Sequence, residues 1–354
     1  MSTAALFARH PQLGGSIPWL PLGCFPTPVH TLDLAGFGAG DVWIKRDDLS
    51  GEVYGGNKVR KLEFLLGDAE RSGATRLATI GAAGSHHALA TTVYGSAAGF
   101  DVSLILFPQP PTPHARRVLA TDAALGADVI WATSPRRVPA VVLRARWALR
   151  RERVAWIPVG GSSPLGTLGY VSGGLELADQ IREGVAPAPR EIHVPGGTLG
   201  TAAGIALGLA LAGVGSRIIV TRVVSRAVTN RRRLLALLGR TARLLDRAGL
   251  DGQAARAAER ARRSLELCER QFGRGYGHAT TAGLAASDSF GACGVHLEPT
   301  YTAKAAAELL ARRASARAPI LFWHTFSSVH PLAARRPALD RLPAGARAYL
   351  EDAA

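Results

Sequence analysis

Short runs of β-branched and apolar residues recur along this chain with longer helix-periodic stretches between them. That alternation limits the fold more than any other feature. Candidate strands are Val42–Lys45, Arg76–Ile80, Val102–Phe107, Asp128–Trp131, Val154–Pro158, Glu191–Val194, Arg217–Val224 and Pro319–His324. Most are separated by roughly ten to twenty residues of helical periodicity, the pattern of βαβ units and a mostly parallel sheet with helices on both faces. At 354 residues and 47% hydrophobic content the chain can fill the cores of two domains. The Pro108–Pro113 segment reads as a loop, and Gly160–Gly169, where glycines and serines cluster before a new helix, as the domain crossing.

In open α/β sheets, ligands bind beyond the carboxyl ends of the strands, where glycine-rich turns lead into helices. Four segments have that form: Gly81–His87, Gly160–Gly166, Pro195–Thr201 and Trp323–Ser328. The third is the most pointed, because Gly196-Gly197-Thr198-Leu199-Gly200-Thr201 runs into an alanine-rich helix. Small residues let backbone amides converge there, and a helix N-terminus favours a phosphate. The spacing matches neither GxGxxG nor GxxxxGK[ST], which disfavours a dinucleotide or a nucleoside triphosphate and leaves a cofactor monophosphate. A tight turn that binds nothing would look the same.

Only four of the 42 basic residues are lysine, and three of them, Lys45, Lys58 and Lys61, lie close together; the fourth is Lys304. Arginine stays protonated and forms no imine, whereas a lysine amine can lose its proton and attack a carbonyl such as that of pyridoxal phosphate. Lys58 follows Gly55-Gly56-Asn57 and opens a helix-like run through Leu62, Leu65, Leu66 and Ala69. Compositional drift toward arginine also leaves stray lysines, so the count alone does not decide.

Other classes fit poorly. The formal charge is +15, with much of the excess between Arg222 and Arg274. There arginines alternate with Leu234, Leu235, Leu237, Leu238, Leu244, Leu245, Leu265 and Leu267 as in amphipathic helices with a wet arginine face. No aromatic residues interleave to stack bases, and no nucleic-acid-binding signature appears. Gly196–Gly215 is apolar, but its glycines and threonines fit a helix packed on a sheet better than a membrane span. Cys24, Cys268 and Cys293 are odd in number and far apart, so neither a disulfide framework nor a zinc site is expected. With no basic and apolar leader in Met1–Gly15, a cytoplasmic location is the expectation.

Taken together the motifs resemble the aminocyclopropane-carboxylate deaminase and D-cysteine desulfhydrase family, among the fold type II pyridoxal-phosphate enzymes. The resemblance runs from Ile17-Pro18 and Pro26-Thr27-Pro28 through Ile44-Lys45-Arg46-Asp47-Asp48-Leu49 to Gly55-Gly56-Asn57-Lys58-Val59-Arg60-Lys61-Leu62-Glu63. It continues through Gly160-Gly161-Ser162 and Gly166–Tyr170, then Gly275-Tyr276-Gly277, Glu298–Lys304 and His324-Thr325. It implies two open, mostly parallel sheets flanked by helices, with pyridoxal 5'-phosphate in the cleft between a large domain (1–61 and 170–354) and a small one (62–169). It also implies a homodimer and a small amino-acid substrate. By the same resemblance Lys58 bonds the cofactor aldehyde, and Asn57 and His86 contact the cofactor. Lys61 and the loop Gly197, Thr198, Leu199, Gly200 and Thr201 hold its phosphate. Ser85, Tyr276 and Tyr301 face the substrate, and Thr302 and Thr325 lie near the pyridine nitrogen. No metal ligand is implied.

The departures from the family pattern bear on activity. A histidine, His86, stands where an asparagine would bond the cofactor's phenolic oxygen, and Gly84 replaces a glutamine. Phe326 and Ser327 replace two glycines, adding bulk close to the ring. Thr302 stands where the deaminase branch carries glutamate, as it does in the desulfhydrase branch. A neutral hydroxyl there weakens the electron sink and suits β-elimination with a good leaving group. The expected activity is therefore a D-cysteine desulfhydrase-like lyase releasing a keto acid and ammonia. The alternatives are aminocyclopropane-carboxylate deamination and a catalytically altered homologue that keeps the cofactor.

Overall fold

The computed structural model describes residues 3–314, 318–329 and 341–351. Ten strands form two sheets. They are β1 (Val29–Thr31), β2 (Val42–Arg46), β3 (Arg76–Ala82), β4 (Asp101–Phe107), β5 (Asp128–Trp131), β6 (Val154–Trp156), β7 (Glu191–Gly196), β8 (Arg217–Arg222), β9 (Leu265–Cys268) and β10 (Ile320–His324). The chain divides into two compact units, Met1–Phe64 with Ser162–Val329, and Leu65–Gly161 with His330–Ala354. The sequence suggests a division at 61/62 and 169/170; the chain divides instead at 64/65 and 161/162, and the described residues 341–351 fall in the second unit.

The first unit holds a six-stranded sheet in the order β1-β2-β10-β7-β8-β9, parallel except where β1 meets β2. Its central strands β7 and β10 are buried along their whole length, so both of their faces are covered. Ile192, Val194, Ile218, Val220, Leu321 and Trp323 pack on one face with the helices Pro164–Arg182 and Gly200–Leu211. Val42, Ile44, Ile320 and Phe322 pack on the other with Thr281–Gly291 and Thr302–Ala311. Those first two helices approach backbone to backbone, since a Cβ on Gly208 would lie 2.3 Å from the Val171 carbonyl oxygen. Gly196–Gly215 is thus a buried strand end and helix, and among the described residues no helix is long and apolar enough to cross a membrane.

Two expectations need correction. Leu265 and Leu267 are not helical. They lie in β9, where their two-residue spacing serves a strand paired parallel to β8. Pro113 is not loop. It opens the helix Pro113–Ala124, where its missing N–H is no loss, behind a Thr112 cap.

The second unit holds a parallel sheet in the order β5-β4-β3-β6. Inside it Asp122 accepts a 2.8 Å bond from Thr92 Oγ1, while its other oxygen has no partner among the described residues. Burial pushes this carboxyl up to about 8 despite the bond. Between the ordinary carboxylate range and that value the folded form keeps a proton the unfolded chain has released, so stability falls as pH rises through the window. Asp122→Asn is expected to flatten that fall, which unfolding temperatures measured from about pH 4 to about pH 9 would reveal. An unchanged slope would contradict it.

Candidate active site

The segment before Lys58 is held by backbone geometry. Gly56 has φ +88°, and a Cβ there would lie 2.8 Å from the Thr325 carbonyl oxygen, so only glycine fits. Asn57 N–H donates to that same carbonyl at 3.0 Å, and Gly56 N–H to the Asp47 carbonyl at 2.8 Å. Gly55 N–H donates to Ser327 Oγ at 2.8 Å. Ser327 is almost fully buried and acts as a staple for this turn.

Lys58 and Lys61 begin the helix Lys58–Arg71 one turn apart, on one face. Burial pulls the Lys58 amine down to about 8. Burial, with the charge of Lys58 second, takes Lys61 well below the usual lysine range. Lys61 Nζ donates to Ser162 Oγ at 3.1 Å, and that oxygen lies 2.7 Å from Thr198 Oγ1 and accepts from Gly200 N–H at 3.3 Å. Asn57 Nδ2 donates to Thr201 Oγ1 at 3.1 Å. Leu199, at φ +73°, turns the chain into the helix Gly200–Leu211. A Cβ on Gly200 would sit 2.7 Å from Ser162 Oγ and 3.1 Å from Lys61 Nζ, so the bare glycine keeps this cradle open.

The cradle gathers the Lys61 amine, three hydroxyls and a helix N-terminus, and the effects acting on Lys61 and on Lys58 beside it all disfavour their charge. An anion with several acceptor oxygens relieves that strain, so the donor set fits a phosphate monoester. A reactive amine one helical turn away completes the requirement for an aldehyde-bearing phosphate cofactor.

Tyr301 packs against this loop, its ring 3.1 Å from where a Gly197 Cβ would be, and meets Tyr276 edge-to-face with ring centroids 5.8 Å apart. Burial first, then the neighbouring Tyr276, push the Tyr301 hydroxyl well above its ordinary range, so it stays protonated. Thr302 opens the next helix, and its hydroxyl accepts from Glu298 N–H at 2.9 Å and donates to the Glu298 carbonyl at 3.3 Å. The Glu298 carboxylate is in turn taken up by the N–H groups of Thr300, Tyr301 and Thr302. The Thr302 hydroxyl therefore closes the Glu298–Thr302 turn, bound to backbone.

Lys58, Asn57, Lys61, Gly197–Thr201, Tyr276, Tyr301, Thr302 and Thr325 thus lie in one unit and are linked by these contacts. Ser85 and His86 belong to the second unit. There Ser85 Oγ caps the helix His86–Ala97 by accepting from Ala88 N–H at 3.2 Å. His86 Nε2 lies 3.1 Å from His114 Nε2, and His87 is a core residue bonded to Thr79 Oγ1 at 3.0 Å.

Sequence reasoning did not pick out Ser162, which joins Lys61 to the loop, although it lies in a matched motif. Nor did it find the buried ion cluster that fixes the first turn of the lysine helix. Arg60 binds Asp47 at 2.8 Å and Glu176 at 2.9 Å, and Glu176 also binds Lys45 at 2.5 Å. Tyr170 and Trp323 complete Asp47 Oδ2 at 2.7 and 2.8 Å.

Comparison with known proteins shows the family. The model of the pyridoxal-phosphate dependent enzyme family matches residues 20–325. A nocardicin C-9' epimerase of Nocardia uniformis subsp. tsuyamanensis is 36% identical over 328 residues, covering 89% of this chain and 94% of the relative. A D-cysteine desulfhydrase of Salmonella schwarzengrund (strain CVM19633) is 34% identical, covering 87% and 93%. The crystal structure of an ACC deaminase homologue superposes with a TM-score of 0.72 at 29% identity, covering 92% of this chain and 95% of that one. The fold is that of the fold type II enzymes of this cofactor.

Proposed function

This chain belongs to the pyridoxal-phosphate-dependent enzyme family, and within it we propose a lyase that eliminates from a small amino acid, releasing a keto acid and ammonia. The observation that carries this reading is the pair of lysines one turn apart, one beside a hydroxyl-rich anion cradle and the other with its amine lowered to about 8.

Lys61, Ser162, Thr198, Thr201 and the Gly200 N–H would hold the phosphate, and Asn57 and Lys58 the ring and aldehyde end. When bound, the cofactor supplies a carbonyl for amines and a ring that stabilises negative charge at a carbon losing its proton. The Lys58 amine, shifted toward neutrality, would take that proton. Tyr301 keeps its proton, so it can donate one, and Tyr276 lies against it edge-to-face. Ser85 and His86 carry, by the resemblance, the substrate carboxylate and the phenolic oxygen. By the resemblance Thr325 would offer a neutral hydroxyl to the ring nitrogen, and Thr302, where the deaminase branch has a carboxylate, would leave that nitrogen without an acid. That weaker sink supports elimination over ring-opening deamination. A cytoplasmic homodimer belongs to the same proposal, resting on the resemblance and on three free cysteines.

A second reading, epimerisation, has its own support. It shares the proton-removal step, the tyrosines could return the proton, and one relative is named an epimerase. A panel of D- and L-amino acids in heavy water separates the two. Keto-acid release, with D-cysteine among the substrates, is the expected result. Deuterium entering the α-carbon without keto acid would replace elimination by epimerisation. Neither outcome, from protein that retains cofactor, would mark an altered homologue.

A further inference from the structure

All four lysines of this arginine-rich chain lie at least partly inside the fold, and the site described above uses only two. Lys45 belongs to the ion cluster. Lys304 is fully buried, and its Nζ donates to the carbonyls of Phe272 at 3.0 Å and Gly275 at 2.9 Å. Those two carbonyls flank the turn that delivers Tyr276. Lys304 itself sits on the helix that begins immediately after Tyr301.

We propose that Lys304 is a positioning residue that fixes Tyr276 against Tyr301 by gripping the Phe272–Gly275 turn. The segment needs an external grip, because Gly273, Gly275 and Gly277 all adopt positive φ (+58°, +110° and +78°) and glycine gives up the most freedom on ordering. Its other anchor is on the ring side, where the Arg222 guanidinium stacks on Phe272 at 4.1 Å. A lysine suits the task as an arginine would not. Two carbonyls converge on one nitrogen, whereas a guanidinium spreads its donors in a planar fork on a bulkier head. One bonded ammonium thus ties the two tyrosine-bearing segments together.

The inference rests on the reading of Tyr276 as a substrate-facing group, and two measurements on the cofactor-loaded enzyme test it. Amide exchange read by mass spectrometry should quicken about tenfold or more at residues 273–277 in Lys304→Met, with the helix Thr302–Ala311 unchanged. Turnover of the best substrate of the amino-acid panel, or α-deuterium exchange where nothing is released, should fall about tenfold to a hundredfold in Lys304→Met. Lys304→Arg should not restore it. The double variant Lys304→Met/Tyr276→Phe should then be no slower than Tyr276→Phe alone, within about twofold. Unchanged exchange at the turn, multiplying losses in the double variant, or a Lys304→Met loss with an inert Tyr276→Phe would each overturn the proposal. If Lys304→Met does not fold, Lys304→Gln, which keeps a donor, takes its place in both measurements. Failure of the cofactor reading shows separately, as loss of the lysine–cofactor absorbance in the unmodified enzyme.

Discussion

Lys58→Ala is expected to lose the lysine–cofactor absorbance and to slow turnover by about 10²–10⁴-fold or more, the range for removing a positioned acid–base group. The size follows from the absence of a substitute. Lys61 is the nearest amine, one turn along the helix, but its Nζ is committed to Ser162 Oγ at 3.1 Å and is itself buried. Lys45 and Lys304 are bound within their own clusters. Lys58→Arg should fail almost as badly although it keeps the charge, because a guanidinium does not lose its proton. Absorbance spectra and initial rates check both variants, and a rate within tenfold of the unmodified enzyme in either would refute the role.

Glu176→Ala should destabilise the first unit by about 3–5 kcal/mol, the cost of leaving buried charges without their partner. Glu176 is nearly fully buried and answers both Arg60 and Lys45, so its loss takes the carboxylate from Lys45 and leaves Arg60 to Asp47. The pH dependence has a definite sign. Burial works to raise the Asp47 and Glu176 carboxyls, but the charges of Arg60 and Lys45 outweigh it and leave both below their ordinary values. Their contribution is therefore complete above the ordinary carboxylate range and is lost as pH falls through the lowered values. Unfolding curves at neutral and acid pH should show a large deficit for Glu176→Ala at neutrality that narrows in acid. Equal stability at neutrality would show that the cluster does not hold the helix start.

The sequence made the reactive end of the site more readable than its support. Lys58 stood out because lysine is rare here, and the Gly197–Thr201 loop because small residues follow a strand. Ser162 lies in another such segment, but its pairing with Thr198 was not legible, since the two lie 36 residues apart. The ion cluster joins Lys45 to Glu176 across 131 residues, a pairing no local pattern encodes. Thr302 shows the opposite limit. Its place in the motif is plain, yet its hydroxyl is spent on the Glu298 backbone, which only the local turn determines. Among the strands, eight follow from apolar runs. The other two do not: β1 is three residues on an antiparallel edge, and β9 continues a leucine series that begins as helix.

Borohydride reduction of the cofactor-loaded protein, followed by peptide mapping, tests the central claim most directly. The account predicts one stable pyridoxyl adduct, on Lys58. An adduct on Lys61, Lys45 or Lys304 with Lys58 unmodified, or no adduct on any lysine, would contradict it.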